Sequence, residues 1–400
     1  MALGAAVAAA QAAVLALRPR SGRVARTNVD AADHFSGEEI ARARAYRRGQ
    51  LAIFAASTAV ETGALVALAR GAGPRLPRSP AAAGALLSVG ISAATLPFAA
   101  ASRRRSMAVG LATQSWRGWA GDVAKAQAIG AGMAAIGGAA AGGLRRRFGA
   151  RWWAPGAAGA VLAGAGMTVL GPVVLDPIFN TFTPLPEGEL RRDVLDLAQR
   201  AKVTVGEVYD VDASRRTTAS NAYVNGLGPT KRVVLFDTLI KDFTPDETRL
   251  VVAHELGHVR HRDVPAGLLF LALIAPLGLR AAALLADDWA DGDDRRWLPA
   301  VALAAGVVMA PIGVISNQLT RRIEERTDAF ALALVGPDGA EPFVGFHRSI
   351  TVKNLGDPDP PRWLHALMGT HPTAVERIGI AQAYAETSGT ERRRSMEPQA

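Results

Sequence analysis

The stretch FTPDETRLVVAHELGHVRHRD, residues 243–263, decides how this chain is read. It opens as a helix should. Thr244 is a good capping residue, Pro245 takes the first helical position, and Glu247, three residues after the cap, completes a capping box. Leu250, Val251 and Val252 then lead apolar into HELGH, residues 254–258. Two histidines four apart on a helix stand one turn above each other on one face, close enough to share a metal ion. Neutral imidazole suits zinc, and a catalytic zinc keeps three protein ligands and one open position. His254 and His258 are therefore candidate zinc ligands. Glu255, between them, can take a proton from a water at the open position, which makes it the candidate general base of a zinc hydrolase. Two helical histidines can also be ordinary polar groups of a core or surface; the well-started helix favours the metal.

A third ligand must come from elsewhere. His261 lies on the same face, but at 1.5 Å rise per residue it stands roughly 7–8 Å along the axis from an ion centred between the first two histidines. That is too far for a bond of about 2 Å. The longer pattern HExxHxxGxxH fails because Val264 stands where its last histidine belongs. Glu324, in RRIEERTDAFALAL (residues 321–334), is the better candidate. Asp328 is four residues on and shares its face, so Glu324 can bind the metal while Asp328 accepts the far N–H of a ligating histidine. The competing reading is a solvated charged face, given Arg321, Arg322, Glu325 and Arg326. Glu325 is the rival ligand, but its partner four residues on is Ala329.

Mean hydropathy is only +0.14, yet the charges are unevenly placed. Apolar stretches run over residues 1–17, 51–69, 81–101, 126–144, 153–175, 264–286 and 298–315, each near the length that crosses a bilayer as a helix. So many such stretches in 400 residues, several ended by arginine clusters, are hard to bury without lipid. Gly130, Gly132, Gly137 and Gly138 would let helices approach closely. Glu61, a charge within the second span, should face the bundle interior or a water-filled cavity, or be neutralised by a partner. The first stretch has no Lys or Arg before Arg18, which reads as an uncleaved span with its N-terminus outside. Residues 18–50 carry eight Lys plus Arg and residues 102–125 five, against three, four and two in the alternate loops. This bias puts residues 176–263 and 316–400 on the cytoplasmic side of a multi-pass protein. The net charge of +9 fits arginines facing anionic lipid, and no nucleic-acid motif accompanies it. With no cysteine in the chain, disulfides, thiolate ligands and prenylation of the chain itself are excluded.

The expected organisation is an N-terminal membrane domain of about five spans (1–175), a metallopeptidase segment with HELGH (176–263), two further spans (264–315), a second metallopeptidase segment (316–385) and a disordered tail (386–400). Within the first soluble segment, residues 189–201 have helical spacing, 203–211 read as a strand, and 221–224 and 232–236 as two strands joined by GLGPTK. An exposed strand edge there could hold a peptide in extended form.

FNTFTPLPEGEL, ASNAYVNGLGPTKRVVLFDTLI, HELGH, RRIEERTDAFAL and THPTAVERI occur in this order. Together they closely resemble the type 1 CAAX prenyl protease family of integral-membrane zinc metallopeptidases, over residues of about 35 to 380. The resemblance implies His254, His258 and Glu324 as ligands of one Zn2+ per chain, Glu255 as general base and Asp328 as supporting carboxylate. It places Asn221, on the edge strand, and His371, in the HP motif, near the scissile carbonyl, where a donor at His371 could stabilise the oxyanion. Arg377 is taken as a substrate-binding or electrostatic group. The fold implied is mostly α and integral to the membrane: about seven transmembrane helices around a chamber, with a small α+β zinc metallopeptidase domain. The partners are a peptide or protein substrate, membrane-associated or lipidated forms included, and the lipid bilayer; nucleic acid is not one. The Ala/Arg/Gly-rich composition is that of a GC-rich bacterial genome, which implies the bacterial plasma membrane. Prenylated substrates need not exist there, so the chemistry carries over better than the specificity. Two alternatives stand: a quality-control protease resembling the HtpX type, which usually has fewer spans, and a non-catalytic membrane scaffold, against which the intact HELGH and ExxxD argue.

Overall fold

A computed structural model of the chain describes residues 1–20, 24–72, 76–226 and 231–396, with side chains of the last helix through residue 388. The first half is helical: α1 (Ala2–Leu17), α2 (Gly37–Ala69), α3 (Pro80–Ala108), α4 (Trp116–Phe148) and α5 (Trp153–Leu170). A π-helical turn over Gly171–Leu175 carries α5 into α6 (Asp176–Phe179). There follow β1 (Phe182–Pro184), α7 (Glu189–Arg200), β2 (Glu207–Val211), β3 (Ala222–Asn225), β4 (Arg232–Phe236), α8 (Asp237–Asp242) and α9 (Pro245–Arg260). Two long helices, α10 (Asp263–Ala290) and α11 (Asp294–Val335), precede α12 (Ala340–Lys353), α13 (Arg362–Met368) and α14 (Ala374–Met396).

Every predicted apolar stretch lies in a helix. Among the described residues, five helices are long and apolar enough to cross a membrane: α2, α3, the continuous rod Trp153–Phe179, α10 and α11. The protein is thus a multi-pass membrane protein. The other two stretches differ for identifiable reasons. Helix α1 has 16 residues, short of the ~20 a bilayer core needs, and α4 is diluted by glycine and by a polar first half. Contacts near its ends nevertheless show that α4 reaches from one end of the helix bundle to the other. At one end Arg145 pairs with Asp294 at 2.7 Å and Trp152 stacks edge-on against Trp297. At the other, the Thr113 N–H donates to the Arg216 carbonyl and the Thr27 N–H to that of Gly379. The segments before α2 and α4 thus share one end with the sheet and the C-terminal helices.

Close helix approach rests on fewer glycines than expected. A Cβ at Gly138 would lie 2.3 Å from the Pro80 carbonyl oxygen, and one at Gly84 2.2 Å from that of Ala134. Gly132 and Gly137 instead face open space, and Gly130 has only the Ser88 hydroxyl nearby. Glu61 is exposed on α2.

The sheet has the order β1-β2-β4-β3. β1 is antiparallel to β2, β2 parallel to β4, and β4 antiparallel to β3, which leaves β3 an edge. β4 is central, with Val233, Val234 and Leu235 all fully buried, as expected of a strand covered on both faces. Val208, Val233 and Leu235 pack with Leu197 of α7 and with Val252 and Leu256 of α9 in one apolar cluster. The metal helix is thereby fixed against the sheet. Three expectations shift. β2 begins at Glu207 rather than at residue 203, where pairing with β4 starts opposite Arg232. β3 begins one residue after Asn221, and the GLGPTK connection falls largely in residues 227–230, outside the described residues. Residues 386–396, expected to be disordered, continue α14 to Met396; their sequence holds good helix formers and no proline before Pro398.

Candidate metal centre

Helix α9 starts with the anticipated capping box: Thr244 Oγ1 accepts from the Glu247 N–H at 3.2 Å, and Glu247 Oε2 accepts from the Thr244 N–H at 2.8 Å. Three turns later His254 and His258 project to the same side, their Nε2 atoms 3.2 Å apart. The last turns of α11 cross this face. Gly257 permits the crossing, since a Cβ there would lie 2.8 Å from Thr327 Cγ2 and 2.9 Å from Phe330 Cδ1. Glu324 is brought in by that approach, with Oε2 3.3 Å from His254 Nε2 and Oε1 3.4 Å from His258 Nε2. Among the described residues, His254, His258 and Glu324 form the group able to hold a metal ion. Tetrahedral ligands about 2.05 Å from a centre are ~3.3 Å from one another, so the separations of 3.2, 3.3 and 3.4 Å fit a small four-coordinate ion with one vertex open.

The surrounding groups set the orientation of these donors. Asp328, fully buried, has Oδ1 2.9 Å from His254 Nδ1. Asp263, at the first turn of α10, accepts from His258 Nδ1 at 2.9 Å and is itself held by Arg326. Each imidazole is thus committed through Nδ1, which leaves Nε2 for a metal. Arg377 of α14 donates to Glu324 Oε2 at 2.8 Å and lies 3.2 Å from Asp328 Oδ2. Its guanidinium braces the carboxylates while the residue also borders the cleft beside them. Burial works against a charge on His254, but its contacts with Asp328 and Glu324 prevail and raise its pKa to about 10. Burial raises the Glu255 carboxyl, with the imidazoles pulling the other way. Partial desolvation at the cleft lowers the pKa of His371 from its usual value, against the pull of Glu324.

A cleft of about 670 Å³ opens beside these donors and is bordered by His254, Glu255, Asn221, His371 and Arg377. Of the expected catalytic and substrate residues, Glu255, His371, Asn221 and Arg377 border this opening, and Asp328 is buried away from it. Asn221 precedes the edge strand, its carbonyl accepting from the Phe236 N–H at 3.1 Å. His371 Nε2 lies 3.4 Å from Glu324 Oε2, and its Nδ1 is 2.8 Å from the Thr370 hydroxyl. Phe343, Phe346 and Ile350 of α12 form the apolar wall. His261 stays off the site, donating from Nδ1 to the Gly257 carbonyl at 2.9 Å, and Glu325 turns away to Arg322. Asp263 and His347 were not anticipated. Asp263 could have been found, because it follows His258 by five residues at a helix start. His347, buried against Phe343 and Phe346 and bordering the cleft, carries no such signal.

Comparison with known proteins points to a metallopeptidase family. The model of peptidase family M48 matches residues 184–385. The chain is 30% identical over 249 residues to the uncharacterized metalloprotease YhfN of Bacillus subtilis, covering 60% of this chain and 58% of that protein. It is 42% identical over 108 residues to CAAX prenyl protease 1 of Saccharomyces cerevisiae, covering 27% and 24%, and 30% identical to the Arabidopsis thaliana homologue, covering 53% and 51%. The chain thus spans less than two thirds of the length of these curated relatives. The crystal structure of S. mikatae Ste24p superposes with a TM-score of 0.77 over 95% of this chain and 96% of that one, at 19% identity, a likeness of fold.

Proposed function

Since the chain belongs to peptidase family M48, we propose that it is an integral-membrane zinc metalloendopeptidase of the CAAX prenyl protease 1 kind. The observation that carries this reading is the convergence of His254 Nε2, His258 Nε2 and the Glu324 carboxylate within 3.4 Å of one another, beside a cleft that also holds Glu255. Two imidazoles and one carboxylate are the donor set of zinc hydrolases. Zinc held there supplies Lewis acidity toward a water and toward the scissile carbonyl.

The chain's own groups do the rest. Glu255 accepts the water proton and returns it to the leaving amine; its raised pKa suits a carboxyl that must both take and give a proton. His371, as a neutral donor at the cleft mouth, hydrogen-bonds the developing oxyanion. The peptide lies extended against the free edge of β3 with Asn221 at its end, held by main-chain hydrogen bonds. The apolar wall from α12 receives a large hydrophobic side chain. Asp328, Asp263 and Arg377 keep the ligands oriented. Arg26 and Arg44 of the arginine-rich segment before the second span pair with Glu376 and Asp357 near this site, which supports a cytoplasmic site in a bacterial plasma membrane.

The test is hydrolysis by detergent-purified protein of a quenched unfolded peptide and of a farnesylated CAAX peptide, with and without chelator. Chelator-sensitive cleavage is expected, and Glu255→Gln should retain zinc while losing about 10²-fold or more of the turnover. Full activity in that variant would refute the assignment of the base. The preferred peptide distinguishes CAAX processing from general quality control.

A further inference from the structure

A second cavity, of about 1130 Å³, lies between the first turns of α2 and the segment entering α13. Its α2 wall carries Arg44, Arg47, Arg48 and Leu51, and its other wall Asp357, Asp359, Arg362 and Trp363. Arg44 is engaged, with Asp357 Oδ1 at 3.4 Å and the Asp359 carbonyl at 3.3 Å. Arg47, Arg48 and Arg362 are exposed and, among the described residues, make no ion pair or hydrogen bond. Against four arginines the lining sets two aspartates, Asp357 and Asp359, so the concavity keeps a net positive charge.

Two features fix the height of this cavity relative to the bilayer. On α2 the charged run ARARAYRRGQ ends at residue 50 and the apolar span begins at Leu51, so Arg47 and Arg48 sit at the last turn before hydrocarbon. Helix α13 is tied to α11 just beyond its apolar stretch, through Asn317 to the Leu367 carbonyl at 2.9 Å and Arg321 to that of His365. It exposes Trp363, Leu367 and Met368 at 67%, 47% and 43%. A Trp beside arginines at the end of a span marks the headgroup level. We propose that this cavity binds the phosphate headgroup of an anionic phospholipid. Arg47, Arg48 and Arg362 hold the phosphate, and the acyl chains run down past Leu51 and Trp363. Basic pockets beside transmembrane helices suit such headgroups, and a soluble phosphate would leave the apolar part of the wall uncovered. A lipid seated there also steadies α13, whose end leads in three residues to His371.

The experiment is native mass spectrometry of the detergent-purified full chain titrated with phosphatidylglycerol, phosphatidylcholine or glycerol 3-phosphate. Phosphatidylglycerol should bind at least about tenfold more tightly than phosphatidylcholine. The triple variant Arg47→Gln/Arg48→Gln/Arg362→Gln should lose that preference, the corresponding lysine triple should keep most of it, and Arg192→Gln, on exposed α7, should leave it unchanged. The three side chains are exposed and unpaired, so folding is not at stake, and none is needed for peptide hydrolysis; failure here leaves the protease reading untouched. Undiminished preference in the glutamine triple overturns the site. Displacement of the lipid by equimolar glycerol 3-phosphate overturns the lipid assignment in favour of a soluble phosphate ligand.

Discussion

His254 carries the chemistry of the centre in its metal-free form. Its carboxylate neighbours raise its pKa to about 10, so near pH 7 the ring is protonated until a metal arrives. A ligating imidazole must be neutral, and loading therefore expels that proton. The expected outcome is release of close to one proton per zinc from His254, with apparent affinity rising as pH rises toward 10. Calorimetric titration in buffers of different ionisation enthalpy reads this directly; zero release would mean that His254 is already neutral in the apoprotein. Residues of this kind were legible in the sequence because local spacing alone sets them on one face. Asp263 and Arg377 were harder. The value of Asp263 depends on α10 turning back beneath His258, which the left-handed Arg262 brings about, and Arg377 acts on Glu324 across 53 residues of chain.

Helices α9 and α11 meet where a glycine lets them. Replacing Gly257 with valine puts a side chain where Thr327 Cγ2 and Phe330 Cδ1 stand 2.8 and 2.9 Å from a Cβ, and forces the pair apart. Overpacking of this kind costs about 1–3 kcal/mol. Displacing Glu324 by even 0.5 Å should weaken zinc binding by tenfold or more while the helical circular dichroism stays near wild type. Unchanged affinity in Gly257→Val would show that α11 does not depend on this contact. The start of α9 was readable because capping is a local code, and α7 because its apolar spacing is helical. β1 was not read: three residues, Phe182–Pro184, are too few for a periodicity, and they become a strand only by pairing with β2. The end of α14 runs on to Met396, since charge alone does not forbid a helix.

At the scale of the whole molecule, the loops sort to two ends. Arg145 with Asp294 and Trp152 with Trp297 define one; Thr113 with Arg216 and Thr27 with Gly379 define the other. Helix α4 therefore reaches both ends of the bundle, and it is expected to be a span in spite of its glycines. The absence of cysteine makes this easy to test. Single cysteines at Arg147 and Thr113, in cells or sealed vesicles, should react with a membrane-impermeant thiol reagent from opposite faces. Labelling of both from the same face would remove α4 from the set of spans. The apolar stretches were legible from composition. Residues 126–144 of α4 were among them; its polar first half, from Trp116, was not, because it carries no apolar run.

One metal donor, Glu324, sits on the outer end of a beam anchored in lipid, while His254 and His258 ride on α9 against the sheet. α11 is one unbroken helix of 42 residues, and Glu324 stands nine residues beyond residue 315, where its apolar stretch ends, an overhang of about 13 Å. A tilt of ~5° at the surface would swing the carboxylate by about 1 Å, several times the tolerance of a metal–ligand bond. Bilayer thickness changes tilt at modest energetic cost. The centre is thus geared to the membrane like the tip of a lever. Turnover in vesicles of graded acyl length should pass through an optimum, and a flat response would mean that the sheet and α14 clamp the overhang against that motion.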